Sequence, residues 1–478
     1  MTYSSSLLPY NLRCLGEHWL AVSSSGDHIF LDDAEAESLR AGDPQSLPLS
    51  TQAALKSRFF LRSEPESLGS ARLLAARRSA RHETLKTGPS LHIIVPTLQC
   101  AHSCQYCQVS RALEDNGHTM PLNDLYAACD SIFDSNAPAL TIEFQGGDPL
   151  LRYDLVQAAI LRIVARNEVE KRSIRFVVAS TLHQLNEDMC DFFKQHQVYL
   201  STSLDGPASL HNQNRPTPTR DSYQKTIRGI GLARQHIGKD SVSALMTTAQ
   251  ISLKHPEVIV DEYAYQQLPE IFLRPLSLYG FAKRNQTRLG YTLNQFQMFY
   301  ERALDRIIEW NRRGVYLREV YASIILNKIL SPFDNGYVDL QSPTGAGSSV
   351  LVYNYDGYVY PSDEARMLAE TGDTSLRLGK IGTSLAKLQE SPIQQSLIQA
   401  SLIEHSRDCR TCVYNPFCSP NPVDAQAQLH DLYAPASSTE HCQRHLWLFD
   451  LFYRRIRQAD DNLLDLYYSW AQPDSVGE

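Results

Sequence analysis

The chain has 478 residues, too many for one small domain and enough for two or three. Its 43% hydrophobic and 21% charged residues are an ordinary globular composition, and a net charge of −8 argues against a protein that coats nucleic acid. No apolar run is long enough to span a membrane, and the start, MTYSSSLLPYNLRCLGEHWLAV, lacks a secretory pattern, so a cytoplasmic location is expected.

Residues 1–88 read as a small α+β unit. EHWLAVSSSGDHIFLDD predicts a β-hairpin turning at Ser24–Asp27, and AEAESLRAG predicts a helix. The basic stretch SARLLAARRSARHETLK follows, with Arg72, Arg77, Arg78 and Arg81. It reads as a solvated helix face, with a docking surface for an acidic partner as the alternative. Residues 89–290 then alternate β-type runs with helical patterns. The strand candidates are 91–97, 139–145, 173–180, 198–205, 241–248 and 270–277, several of them near-continuously apolar, as strands buried on both faces are. Between them lie segments such as YDLVQAAILRIVARN and NEDMCDFFKQH, with helical spacing. The fold class is therefore α/β, a parallel sheet curled by right-handed crossovers into a partial (β/α)6 TIM-type barrel. Reactive groups in such folds sit at the C-terminal strand ends. Residues 291–340 predict a helical connector. Residues 341–478 form a C-terminal domain that opens with a hairpin, SVLVYNYDGYVYPSDE, about an Asp356-Gly357 turn, and ends in helix.

Ten cysteines are unevenly placed. Cys14, Cys129 and Cys190 stand alone. PTLQCAHSCQYCQVSR, directly after the first barrel strand, holds Cys100, Cys104 and Cys107 in a C-x3-C-x2-C spacing. Three thiolates can bind three irons of a [4Fe–4S] cube and leave the fourth open to chelate a small molecule. A zinc site recruiting His102 or a distant ligand is the alternative, against which stand the strand-end position and the spacing. Cys409, Cys412, Cys418 and Cys442 make a second group, C-x2-C-x5-C and one more further on. Four thiolates would saturate a cluster for electron transfer or structure, and a four-cysteine zinc site fits the same spacing.

The C-x3-C-x2-C loop, with Tyr106 before its last cysteine, resembles that of the radical S-adenosylmethionine (SAM) enzymes. EFQGGDPLL (143–151) is similar to that family's GGEP signature with Asp148 in place of Glu. STSLDGPASLHNQNRP (201–216) resembles the fourth strand of its peptide-modifying branch, and FLRPLSLYGFA (272–282) its sixth. By this resemblance Tyr106, Gln145, Gly146, Gly147, Asp148, Pro149, Ser180, Ser203 and Arg215 surround the cofactor. Gly146 and Gly147 let the backbone approach its methionyl amino group, and Ser180, Ser203 and Arg215 lie near its ribose or carboxylate. The second cysteine group resembles the SPASM extension of peptide maturases. That extension often holds two clusters, but Ser362 and Pro422 stand here where further ligands belong, so one auxiliary [4Fe–4S] cluster is expected. The hairpin, the length and the N-terminal unit resemble the His-Xaa-Ser system maturases of the HxsB type.

The resemblance implies that a [4Fe–4S] cluster on Cys100, Cys104 and Cys107 binds S-adenosyl-L-methionine and generates a 5′-deoxyadenosyl radical. The radical would take a hydrogen atom from a residue of a ribosomally synthesised precursor peptide or small protein of His-Xaa-Ser type. Implied partners are that substrate, a second radical SAM protein and an external electron donor, with no nucleic acid and no membrane. A sulfatase-type formylglycine maturase is an alternative of the same chemistry. A non-catalytic iron–sulfur or zinc scaffold is one of another class, and it would not require the GGDP and LDGP strand ends.

Overall fold

The computed structural model describes residues 6–62, 67–331 and 335–472, which form two compact units. One gathers the chain up to residue 86 with 324–345 and the segment from 396 onward; the other comprises 87–323 and 346–395.

The first unit begins with an antiparallel meander of β1 (Tyr10–Cys14), β2 (Trp19–Ser23) and β3 (His28–Leu31). The predicted hairpin is present, turning at Ser24–Asp27, and gains one strand that the sequence did not single out. Helix α1 (Asp33–Arg40) starts at a capping box in which Asp32 and Glu35 satisfy each other's backbone N–H groups. Together with α2 (Leu49–Ser57) it covers a core of Ala21, Leu31, Leu39, Leu55 and Phe60. On α3 (Ser67–Arg81), Arg72 and Arg78 are exposed and Arg77 reaches Asp27 at 3.5 Å. The side chain of Arg81 lies outside the described residues.

The second unit is built on a nine-stranded sheet. Its strands are β4 (Leu91–Thr97), β5 (Ala139–Gly146), β6 (Ser173–Ala179), β7 (Val198–Ser203), β8 (Val242–Thr247) and β9 (Leu273–Arg274), then β10 (Val350–Tyr353), β11 (Tyr358–Tyr360) and β12 (Gly379–Lys380). The spatial order is β9-β8-β7-β6-β5-β4-β10-β11-β12, parallel from β9 to β10 and antiparallel beyond. Outward residues Ile142, Phe144, Phe176, Val178 and Leu200 pack in one core with Leu155, Ile160 and Ile163 of α4 (Tyr153–Glu170) and Phe193 of α5 (Glu187–Gln195). This is the α/β barrel the apolar runs predict. The hairpin, which the sequence assigns to the C-terminal domain, continues this sheet: Val350 to Tyr353 pair in parallel with Leu91 to Ile94. The sixth strand is shorter than the run 270–277. Only Leu273 and Arg274 pair with β8: Pro275 has no N–H to continue the ladder, and Glu270 and Ile271 pair in parallel with Arg318 and Glu319 instead. Helices α6 (Ala208–Asn214) and α7 (Gly280–Arg284) flank the C-terminal strand ends. Ser362 N-caps α8 (Asp363–Ala369), its hydroxyl accepting from Ala365 N–H at 3.2 Å.

The first unit closes with α9 (Pro422–Leu429), α10 (Glu440–Gln458) and α11 (Asp461–Ala471). Pro422 is the first residue of α9, where a missing N–H costs nothing. No described helix is long and apolar enough to cross a membrane.

Candidate functional site

The cysteine loop leaves the C-terminal end of β4 and is tied down from three directions. Cys100 N–H donates to Ala112 O at 3.0 Å, within the loop's own return. Ser103 N–H donates to Pro216 O at 2.9 Å, beyond α6. Phe281 N–H at the start of α7 donates to Cys107 O at 2.9 Å, and Asn285 Nδ2 donates to Gln105 O at 3.0 Å. Cys100 is buried, and Cys104 and Cys107 are half-buried. Burial raises the Cys104 thiol to about 12 and Cys100 well above its usual value, with neighbouring thiols adding to both shifts. Without metal these groups are neutral thiols, and a cluster must displace their protons to bind.

His102 belongs to the loop's framework. Its N–H lies 3.4 Å from Cys100 Sγ, and its Nε2 is 3.0 Å from His183 Nε2. Burial drives its pKa down to about 2. Among the described residues no three His, Cys, Asp or Glu side chains converge as a single metal ion requires.

The end of β5 is pressed against this loop. Gly147 and Asp148 N–H donate to Thr97 O and Gln99 O at 2.9 and 2.7 Å. A β-carbon on Gly147 would collide with the carbonyl oxygens of Leu98 and Gln99, so the close approach found here is to the lead-in of the cysteine loop itself. Pro149 starts the short turn that follows, and Gln145 Nε2 donates to Glu143 Oε1 at 2.9 Å. Asp148 is fully buried with both oxygens engaged. Oδ1 accepts from Ser180 Oγ at 2.7 Å and Leu150 N–H at 3.2 Å, and Oδ2 accepts from Thr181. The structure thus joins Asp148 and Ser180 to each other, lacing the ends of β5 and β6.

Tyr106 and Arg215 meet at a residue that sequence reasoning quoted within LDGP but did not assign. Asp205, fully buried, accepts from the Tyr106 hydroxyl, from Arg215 Nε at 3.2 Å and from Thr247 N–H at 3.4 Å. The Arg215 guanidinium lies 5.3 Å from the Tyr106 ring centroid, and its charge opposes the burial shift of Cys104. Ser203, half-buried at the end of β7, stands apart from this network.

The second group is equally local. Cys409, Cys412, Cys418 and Cys442 line one cavity of about 230 Å³ together with Tyr414 and Arg13. Cys409 and Cys442 follow helix caps, their N–H groups donating to Ser406 Oγ and Thr439 Oγ1 at 3.4 and 3.2 Å. Burial raises Cys409 and Cys442 to about 11 and Cys418 well beyond. Four thiols around one cavity are a donor set that fits a [4Fe–4S] cluster. Cys129 and Cys190 lie in the barrel core, and Cys14 is exposed.

Residues 94–261 match the model of the Radical SAM superfamily. This segment is similar to radical SAM domains. An uncharacterized protein of Synechocystis is 31% identical over 226 residues, 45% of this chain and 55% of its own. Another, of Methanothermobacter thermautotrophicus, is 24% identical over 169 residues, so the chain spans 55% and 60% of the length of these two curated relatives. A cysteine-type anaerobic sulfatase-maturating enzyme of Clostridium perfringens is 21% identical over 383 residues, 76% of this chain and 96% of that enzyme. Among solved structures, native anSMEcpe with bound AdoMet superposes with a TM-score of 0.62 at 17% identity, over 78% of this chain and all of that one. Streptococcus suis SuiB bound to precursor peptide SuiA gives 0.55 at 13% identity, over 92% of this chain. The likeness in fold thus reaches past the matched segment.

Proposed function

We propose that the chain is a peptide-modifying radical SAM enzyme, with its SAM-binding cluster on Cys100, Cys104 and Cys107 and one auxiliary cluster on Cys409, Cys412, Cys418 and Cys442. The observation that carries the reading is the placement together, at the C-terminal strand ends of the segment that matches the Radical SAM model, of the three-cysteine loop, the GGDP backbone and the Tyr106–Asp205–Arg215 network. When bound, the first cluster and S-adenosyl-L-methionine supply a 5′-deoxyadenosyl radical for hydrogen abstraction from the substrate. The residues here hold and orient. Three backbone ties fix the loop, Asp148 locks the strand ends beside it, and Asp205 fixes Tyr106 and Arg215 against Cys104. The relatives support a peptide or protein substrate, and we assign a precursor of His-Xaa-Ser type, with a second radical SAM protein and an external electron donor as partners.

Anaerobic incubation with S-adenosyl-L-methionine and dithionite should release 5′-deoxyadenosine, and Cys104→Ala should abolish it. A wild-type chain that cleaves nothing would leave a scaffold reading. The similarity to a sulfatase-maturating enzyme favours a second reading, oxidation of Cys or Ser to formylglycine. Mass spectrometry after co-expression with a sulfatase peptide and with a His-Xaa-Ser peptide separates the two.

A further inference from the structure

The four-cysteine cavity has one wall that no cysteine motif predicts. Strand β1 of the N-terminal meander brings Arg13 to its lining, about four hundred residues before the cysteines. Arg13 is held rigidly there. Its Nε and Nη2 donate to Asp450 Oδ1 and Oδ2, both at 2.7 Å, a bidentate pair with the middle of α10, the helix that carries Cys442. The Tyr414 hydroxyl donates to the same carboxylate, and the guanidinium lies 5.9 Å from the Tyr414 ring centroid. Two positions earlier on the same strand, Asn11 Nδ2 donates to Cys412 O at 3.1 Å. The meander thus grips the C-x2-C turn by its backbone and places a cation beside its thiols. Asp450 is Arg13's hydrogen-bonding partner among the described residues, which leaves N–H groups on the guanidinium's remaining edge.

We propose that Arg13 is a positioning residue of the auxiliary site, the cation that offsets the negative charge of the thiolate-bound cluster and raises its reduction potential. The proposal rests on the reading of that cavity as an iron–sulfur site. Four thiolates carry more negative charge than the cluster core carries positive, and one-electron reduction adds another, so a nearby fixed cation favours the reduced form. Arginine suits the task because it stays protonated and its planar fork is fixed by Asp450. Within the ion pair, Arg13 lowers the Cys412 thiol by more than Asp450 raises it, and Arg13 lowers the Cys442 thiol as well, against the larger upward push of burial.

The test uses the full-length chain with Cys104→Ala and Cys107→Ala, so that only the auxiliary site holds iron. Its potential is read by EPR-monitored redox titration alongside iron content and circular dichroism. Arg13→Gln should lower the ratio of reduced to oxidised cluster at fixed ambient potential by roughly tenfold, about 59 mV for a one-electron couple. Arg13→Lys, which keeps the charge, should recover most of that shift. If Arg13→Gln instead loses iron while keeping its fold, Arg13→Lys should restore it. An unchanged potential with full iron in Arg13→Gln overturns the proposal, as does an Arg13→Lys chain no better than Arg13→Gln. Zinc in place of iron in the parent chain would instead overturn the reading of the cavity on which the proposal stands.

Discussion

At Gly147 a β-carbon would run into the carbonyl oxygens of Leu98 and Gln99, and the next residue in the chain is Cys100. Backbone atoms cannot yield as a flexible side chain can, so Gly147→Ala should displace the loop. The expected result is loss of roughly four of ~8 irons per reconstituted chain, with no 5′-deoxyadenosine formed. A Gly147→Ala chain with full iron and normal cleavage would show that the loop tolerates the shift. Asp205 presents the electrostatic counterpart. It is fully buried beside Arg215, whose side chain is only 10% exposed, so removing the carboxylate leaves a cation with little water around it. Asp205→Ala should lower the unfolding free energy by about 3 kcal/mol in urea titrations. Asp205→Ala with Arg215→Met should recover part of that loss, because the pair then leaves together.

At the scale of elements, the carboxylate of Glu319 fixes the sixth-strand edge. It accepts from Tyr300 Oη at 2.5 Å, from Leu273 N–H at 3.1 Å and from Ala322 N–H at 2.5 Å, and burial raises its pKa to about 7. The folded value lies above the unfolded one of about 4.3, so its contribution is fully present below that pH. It is lost as pH rises through about 7. The thermal midpoint should fall between about pH 5 and pH 8, and in Glu319→Gln that part of the fall should disappear, as circular dichroism melts can show. A parallel decline in both chains would assign it to other groups. Glu319 is also an instance of what the sequence hides. The first five barrel strands are legible because each is an apolar run bounded by helical spacing, and the cysteine loop is legible because its spacing is local. Strand β1, YNLRC, alternates polar and apolar residues over only five positions and passes as a loop. The hairpin at β10 and β11 is legible as a hairpin but not as an edge of the barrel. Its parallel pairing with β4 is a tertiary choice made across more than two hundred residues. Asp205 and Arg13 escape for the same reason: each acquires its role from a neighbour that folding brings.

Across the whole molecule, the two cysteine groups belong to different compact units, one built on the barrel and one combining the chain's beginning with its end. Each site draws its supporting contacts from within its own unit: Asp148, Asp205 and α7 for the first, Arg13, Asn11 and Asp450 for the second. Loss of one site should therefore leave the other assembled. Cys412→Ala with Cys418→Ala should remove roughly four irons of ~8 and leave cleavage of S-adenosyl-L-methionine intact, because the thiols of the barrel loop are untouched. Modification of the peptide should fail in that chain if the auxiliary cluster takes electrons from the substrate. Iron analysis, 5′-deoxyadenosine release and peptide mass spectrometry on one preparation read all three outcomes. A normal peptide product would reduce the second site to a structural brace. About twelve irons in the unsubstituted chain would mean a third cluster, despite Ser362 and Pro422 serving as helix starts. Loss of cleavage in the double variant, with iron retained at the barrel loop, would show that the two sites depend on each other.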